Sequence, residues 1–288
     1  MAEISASAVM KLRKMSGQGM MDCKKALSEA AGDVEQALEI LRKKGLATLA
    51  KRAERETSNG VVVSATADGG KTGILASLCC ETDFVAKSAD FVAAASLLAE
   101  YALVCSADES ADALLGTAKD GKAFNDVLTE IVSKTGEKTL VGDYARFRLD
   151  GPGLIATYIH FNSKVGTMIQ IDTSDAKVAE VDALKRAAMD VAMHITASKP
   201  LALDKSGIDP ALIEKEKAVY AEQVTGKPAE IVERIVEGKM KKFYAENCLL
   251  EQPFVKDDSK TVGQVIAEAA KASGGTATIV RFVRFDVG

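Results

Sequence analysis

The feature that most constrains this chain is a repeat. The segment NGVVVSATADGGKTGILASLCCETDF, followed by FVAAASLLAEYAL, returns as GPGLIATYIHFNSKVGTMIQIDTS, followed by LKRAAMDVAMHIT. Gly60 aligns with Gly153 at an offset of 93 residues, and the same offset pairs Gly73 with Gly166 and Lys71 with Lys164. It also carries Phe91, Ala95 and Leu98 onto Leu184, Ala188 and Val191. β-Branched runs around turn residues make each copy a strand, a hairpin turn and a second strand. A long helix follows at 88–104 in the first copy and 179–197 in the second. ARFRL at 145–149 and ATIVRFVRF at 277–285 each offer a third strand. Two small antiparallel sheets, each covered on one face by its helix, predict an α+β core of two related subdomains.

The rest of the chain attaches to this core. Residues 4–45 read as a three-helix unit: a helix near Ser5 to Lys14 with Val9, Leu12 and Arg13 on one face, a break at MSGQGM, and a second helix closed by Gly32. Asp33 and Gln36 then form a capping-box pair for a third helix whose stripe is Val34, Ala37, Leu38 and Leu41, ending at Gly45. TLAKRAERETSNG reads as a linker helix running into a turn. PALIEKEKAVYAEQV and PAEIVERIVEGKMKKFYAEN, joined at TGKP, form a helical hairpin with Pro210 and Pro228 at helix starts. The narrow seam of Ile231, Ile235 and Phe243, flanked by Val232 and Val236, suggests a projecting antiparallel coiled coil. The expected organisation is an N-terminal domain and linker at 1–55 and a first core subdomain at 56–150. A second subdomain begins at 151–202, is interrupted by the hairpin at 203–252, and is completed by 253–288.

Several functions are disfavoured. A net charge of −4 argues against a general nucleic-acid binder, although residues 1–56 carry +3 of local charge. The opening MAEISASAVMKLRKMSG lacks the apolar core and cleavage pattern of a signal peptide, and FVAAASLLAEYALVC is too short to span a bilayer and is broken by Glu100, so a cytoplasmic protein without a membrane partner is expected. Five cysteines without C-x-x-C spacing, two of them adjacent and facing opposite sides of a strand, fit reduced thiols rather than a metal site. Only His160 and His194 are available as histidine ligands, so no metal or other cofactor is expected.

ADGGKT at 67–72 ends like a phosphate loop, but Ala65 stands where that pattern needs glycine, and the segment joins two strands; it reads as a hairpin turn. His160 and His194 have no nucleophile or acid–base partner beside them in sequence, and no catalytic residue is expected. KMKK at 239–242 reads as a solvated helix face. That leaves ETDF. Thr82 and Asp83 cap a short turn and Ser88 caps the long helix. The residues alone favour Phe84 folding back as a hydrophobic staple against that helix. The rival reading is an exposed aromatic anchor of the kind that dominates protein interfaces. The repeat favours the rival: Thr82, Asp83 and Phe84 align with Asp175, Ala176 and Lys177, so the second copy does without the aromatic.

GMMDCKKAL, ETDFVAK, MHITASKP and GKMKKFYAENCLLEQPFVKDDSKTVGQ, in this order, closely resemble the bacterial translation elongation factor Ts family over essentially the whole chain. The resemblance implies a ubiquitin-associated-like N-terminal domain, the two-subdomain core and the coiled-coil hairpin. It also implies a guanine-nucleotide exchange factor, not an enzyme, that speeds GDP release from elongation factor Tu. Carried over by motif, Thr82, Asp83 and Phe84 would enter the partner's GTPase domain near its Mg²⁺ site, with Phe84 as a wedge. Lys24 would touch the same domain, and Thr135–Gly136 would add a contact. His160 would meet the partner's third domain, and Val255–Lys256 would belong to a C-terminal contact region. The family often has Ile-Gly at Thr135–Gly136 and a larger apolar residue at Lys256. A non-catalytic adaptor that sequesters its partner reads the N-terminal domain alike, and the repeat leaves a homodimer or a two-plus-two complex open.

Overall fold

The computed structural model describes residues 4–288 apart from Gly17, Thr225, Lys227 and Ser273. One glycine of the expected MSGQGM break and two residues of the TGKP joint thus lie outside the described residues. Helices α1 (Ala6–Ser16), α2 (Met20–Glu29) and α3 (Val34–Lys51) bury Val9, Leu12, Cys23, Leu27, Ala37 and Leu41 among themselves. Arg13, expected on that face, is exposed. Gly32 leaves α2 at φ +92°, and Asp33 opens α3 by accepting the Glu35 and Gln36 N–H groups at 2.9 and 3.0 Å. The cap satisfies donors that a first helical turn leaves without partners.

The first repeat copy comprises β1 (Asn59–Ala67), β2 (Thr72–Cys80), the one-turn helix α4 (Asp83–Ala86) and α5 (Ala89–Val104). Next come α6 (Ala111–Gly116), the two-residue strands β3 (Ala118–Lys119) and β4 (Lys122–Ala123), α7 (Phe124–Thr135) and β5 (Thr139–Arg148). The second copy comprises β6 (Gly153–Ile159), β7 (Val165–Thr173), α8 (Ala176–Ala179) and α9 (Asp182–Ser198). It is followed by α10 (Pro210–Glu222), α11 (Ala229–Asn247), β8 (Pro253–Phe254), β9 (Asp257–Thr261), α12 (Val262–Lys271) and β10 (Ala277–Asp286). At the 93-residue offset β2 falls on β7, α4 on α8, and the start of α5 on the start of α9. The two antiparallel sheets run β1-β2-β5 and β10-β7-β6, so each copy's second strand is central. The third strand β10 starts at the expected Ala277, whereas β5 starts at Thr139, six residues before the expected Ala145.

The GILASLCC run is apolar apart from Ser77 because β2 is buried on both faces. Ile74, Ala76, Leu78 and Cys80 pack with α5, while Leu75 and Cys79 meet Val62, Phe147, Ile155 and Met168 between the two sheets. Alternation of side chains along a strand separates the two sets and sends the adjacent cysteines to opposite faces. The sheets therefore stack inner face to inner face, with the long helices outside. Gly73 and Gly166 sit at this seam: a Cβ at Gly73 would come within 2.5 Å of Ile155 Cγ2, and one at Gly166 within 2.6 Å of Val62 Cγ1. The matched glycines let the sheets approach.

Two expectations change. The third helix does not stop at Gly45 but continues to Lys51. Gly45 is buried against α7, where an added Cβ would lie 2.7 Å from the Thr129 carbonyl oxygen. It is a contact point in mid-helix rather than a terminator. Arg42 pairs with Asp126 beside it, and Ser133 Oγ donates to the Leu41 carbonyl at 3.2 Å. In the α10–α11 hairpin the seam also shifts. Ile231 is 46% exposed, and burial concentrates at the base, where Met240 and Phe243 pack with Ala202, Ile208 and Cys248. Among the described residues, no helix is long and apolar enough to cross a membrane.

Candidate partner-docking site

Phe84 is 83% exposed, which overturns the staple. The reason lies in the phase of α4. Thr82 is its N-cap, accepting the Val85 N–H at 3.3 Å, so Phe84 is the second helical residue and points outward. Ala86 and the half-buried Val85 turn toward the core and occupy the place a staple would take. Ser88 then caps α5 as expected, accepting the Phe91 N–H at 3.3 Å.

The turn carrying Phe84 is held from three directions. Glu137 accepts the Thr82 N–H at 3.1 Å and the Thr82 hydroxyl at 2.9 Å. Glu81 accepts the Lys138 N–H at 2.7 Å, and Arg52 Nη1 donates to both its carboxylate oxygens at 2.8 Å. Burial alone would raise the Glu81 carboxyl, but the Lys138 amide and the Arg52 guanidinium outweigh it and hold the group below the usual carboxylate range. Asn59 Nδ2 donates to the Glu81 carbonyl at 3.1 Å. Thr135 and Gly136 shape this clamp. Gly136, at φ +71°, ends α7 in the left-handed region and turns the chain so that Glu137 and Lys138 reach the strand end.

Asp83 pairs with Lys87 at 2.7 Å one turn along. That hydrogen bond, with a contribution from the charge of Lys164, holds its carboxyl below the usual range. Lys164 belongs to the β6–β7 turn, which also contains His160. This turn is tied down: Ser163 N–H donates to the His160 carbonyl at 2.8 Å, Lys164 N–H to Asn162 Oδ1 at 3.0 Å, and Val62 N–H of β1 to the Ser163 carbonyl at 2.7 Å. His160 Nδ1 lies 3.2 Å from the Tyr158 hydroxyl. Its ring centroid is 4.4 Å from that of Phe161, which is 89% exposed.

The structure thus gathers Thr82, Asp83, Phe84, Thr135, Gly136 and the His160 turn at one end of the core. Lys24 sits elsewhere, on the exposed side of α2, near Met20 and Met21. Val255 and Lys256 lie over the second lobe, where Lys256 pairs with Asp190 of α9 at 2.8 Å. Among the described residues, no hydrogen bond or ion pair joins either group to the Phe84 turn. His194 is structural: its Nδ1 accepts the Val255 N–H at 3.1 Å, and Nε2 lies 2.9 Å from Gln252 Oε1. Glu137, Arg52 and Phe161 went unread in the sequence. Only Phe161 carried a signal, an aromatic in a turn.

Fold and site together define a class: a doubled α+β core with a helical N-terminal domain, an inserted helical hairpin, and an exposed aromatic on a clamped strand-to-helix turn. The family model described as "Elongation factor TS" matches residues 81–288. The chain is 43% identical over 289 residues to elongation factor Ts of a Nitratiruptor species, covering 99% of this chain and 93% of that relative. It is 41% identical over 293 residues to elongation factor Ts of Chlorobium phaeobacteroides, with both chains covered in full. The chain belongs to the elongation factor Ts family.

Proposed function

We propose that the chain is a guanine-nucleotide exchange factor that binds elongation factor Tu, GDP-bound or nucleotide-free, and promotes GDP release during translation elongation in the cytoplasm. It makes and breaks no covalent bond. The observation that carries this reading is Phe84, an 83% exposed aromatic on a turn fixed by Glu137, Lys138 and Arg52. A rigid aromatic anchor loses little freedom on binding, which favours its use as a wedge. Phe84 enters near the partner's Mg²⁺ and nucleotide site. Asp83 exchanges its exposed Lys87 pair, worth little in water, for contacts there. Lys24, Thr135–Gly136, His160 and Val255–Lys256 supply the remaining contacts. The N-terminal domain, residues 1–55, acts as a ubiquitin-associated-like unit. The hairpin at 203–252 acts as a coiled coil inserted between the parts of the second subdomain, 151–202 and 253–288; the first subdomain is 56–150.

The thermodynamics require only that the factor bind the nucleotide-free form better than the GDP form. A coupling of about 1–3 kcal/mol weakens GDP roughly 5- to 150-fold, and one buried aromatic hot spot supplies about 2 kcal/mol or more. The test is catalytic turnover: a small fraction of an equivalent of this chain should accelerate GDP loss from the whole elongation factor Tu pool. Acceleration that stops at one equivalent bound would instead support a sequestering adaptor.

A further inference from the structure

The doubled core has two ends, and they are not equivalent. At one end the first hairpin turn, Gly69–Lys71, faces Ala176 and Ala179 of α8 across a shared cleft. At the other end the second hairpin turn packs on the start of β1, beside the turn that leads into α4: the Ser163 carbonyl accepts the Val62 N–H at 2.7 Å, and Asn59 Nδ2 of the same strand donates to the Glu81 carbonyl at 3.1 Å. Each hairpin turn therefore sits beside the short helix of the other copy. The 93-residue offset lets the two ends be compared position by position. Phe84 corresponds to Lys177, and Phe161 corresponds to Asp68. Both exposed phenylalanines lie at one end, and both of their counterparts at the other end are charged.

The fold does not need an aromatic at either position, since the matching turn and helix form with Asp68 and Lys177. Nor is Phe161 filling a gap, at 89% exposure. Its turn is rigid, with Ser163 at φ +57° and the hydrogen bonds given above, and the His160 ring backs the Phe161 ring while bonded to Tyr158. An aromatic held this way presents area at low entropic cost, and aromatics are enriched in interface cores. We propose that Phe161 is a second anchor of the surface that carries Phe84, and that it sets affinity for the same partner while Phe84 acts on the rate of nucleotide release. This rests on the exchange-factor reading above, which supplies elongation factor Tu as the occupant.

The experiment measures two quantities for the full chain with elongation factor Tu: the dissociation constant, and the GDP release rate at saturating factor. Phe161→Ala should weaken binding roughly tenfold or more, as expected for loss of an interface aromatic, with the saturated rate within about twofold of wild type. Phe161→Tyr should keep wild-type affinity. Asp68→Ala and Lys177→Ala, at the far end, should change neither quantity. If wild type and Phe84→Ala behave as an exchange factor and its damaged form, yet Phe161→Ala keeps its affinity within about twofold, the anchor is overturned alone. It is overturned equally if Phe161→Ala lowers the saturated rate as Phe84→Ala does. If wild type itself neither binds nor speeds release, the exchange-factor reading falls and the anchor falls with it.

Discussion

Phe84 points to solvent because Thr82, not Ser88, sets the phase of the turn that carries it. The sequence showed both caps, but the choice between a staple and an exposed anchor depended on a one-turn helix whose Val85 and Ala86 take the inward positions. Glu137 supports this arrangement from 55 residues away, and nothing local in the sequence pairs it with Thr82. Glu137→Ala should remove both Thr82 hydrogen bonds and cost about 1 kcal/mol of stability, while slowing stimulated GDP release several-fold. Thermal melting beside release kinetics would check this; normal kinetics would mean the clamp is dispensable. His194 gives a pH dependence. Its Nδ1 must accept from Val255, and burial lowers its pKa below the usual 6.5, partly offset by Gln252. The folded state therefore favours the neutral ring. That contribution is complete above pH 6.5 and is lost as pH falls below it toward the depressed value. Melting temperature should drop from pH 7.5 to pH 5.5 more steeply for wild type than for His194→Gln; parallel profiles would contradict this assignment.

The strands and long helices of both copies could be read from turn residues, β-branched runs and the repeat offset, and those readings stand with small shifts at their ends. α7 and α12 went unread for different reasons. α7 lies in a segment between α5 and β5 that the repeat does not cover, and its N-cap, Ala123, makes no side-chain hydrogen bond. α12 did carry a signature, since Thr261 and Gln264 form a reciprocal capping box. Gly45 was misread because a glycine after an apolar stripe resembles a helix end; only the Thr129 carbonyl across the contact reveals its use. Gly45→Val should force α3 and α7 apart and cost about 1–3 kcal/mol, the range for overpacking a tight contact. A lower urea midpoint would register it, whereas an unchanged midpoint would mean that the two helices separate without penalty.

Across the molecule, the doubled core explains how one surface can be specialised without disturbing the fold. Stacked sheets and matched glycines serve both copies alike, while among the described residues the two exposed phenylalanines, Phe84 and Phe161, lie at the same end. Linkage constrains the proposed exchange: whatever factor the chain imposes on GDP binding, GDP must impose on binding of the chain. Titrations in both directions should return the same ratio. The most direct test of the central claim is stopped-flow GDP release from elongation factor Tu with wild type and Phe84→Ala in parallel. Wild type should accelerate release. Phe84→Ala, folded and melting as wild type does, should accelerate it at least tenfold less, about 1.4 kcal/mol of lost coupling. Equal acceleration by the two proteins would contradict the account.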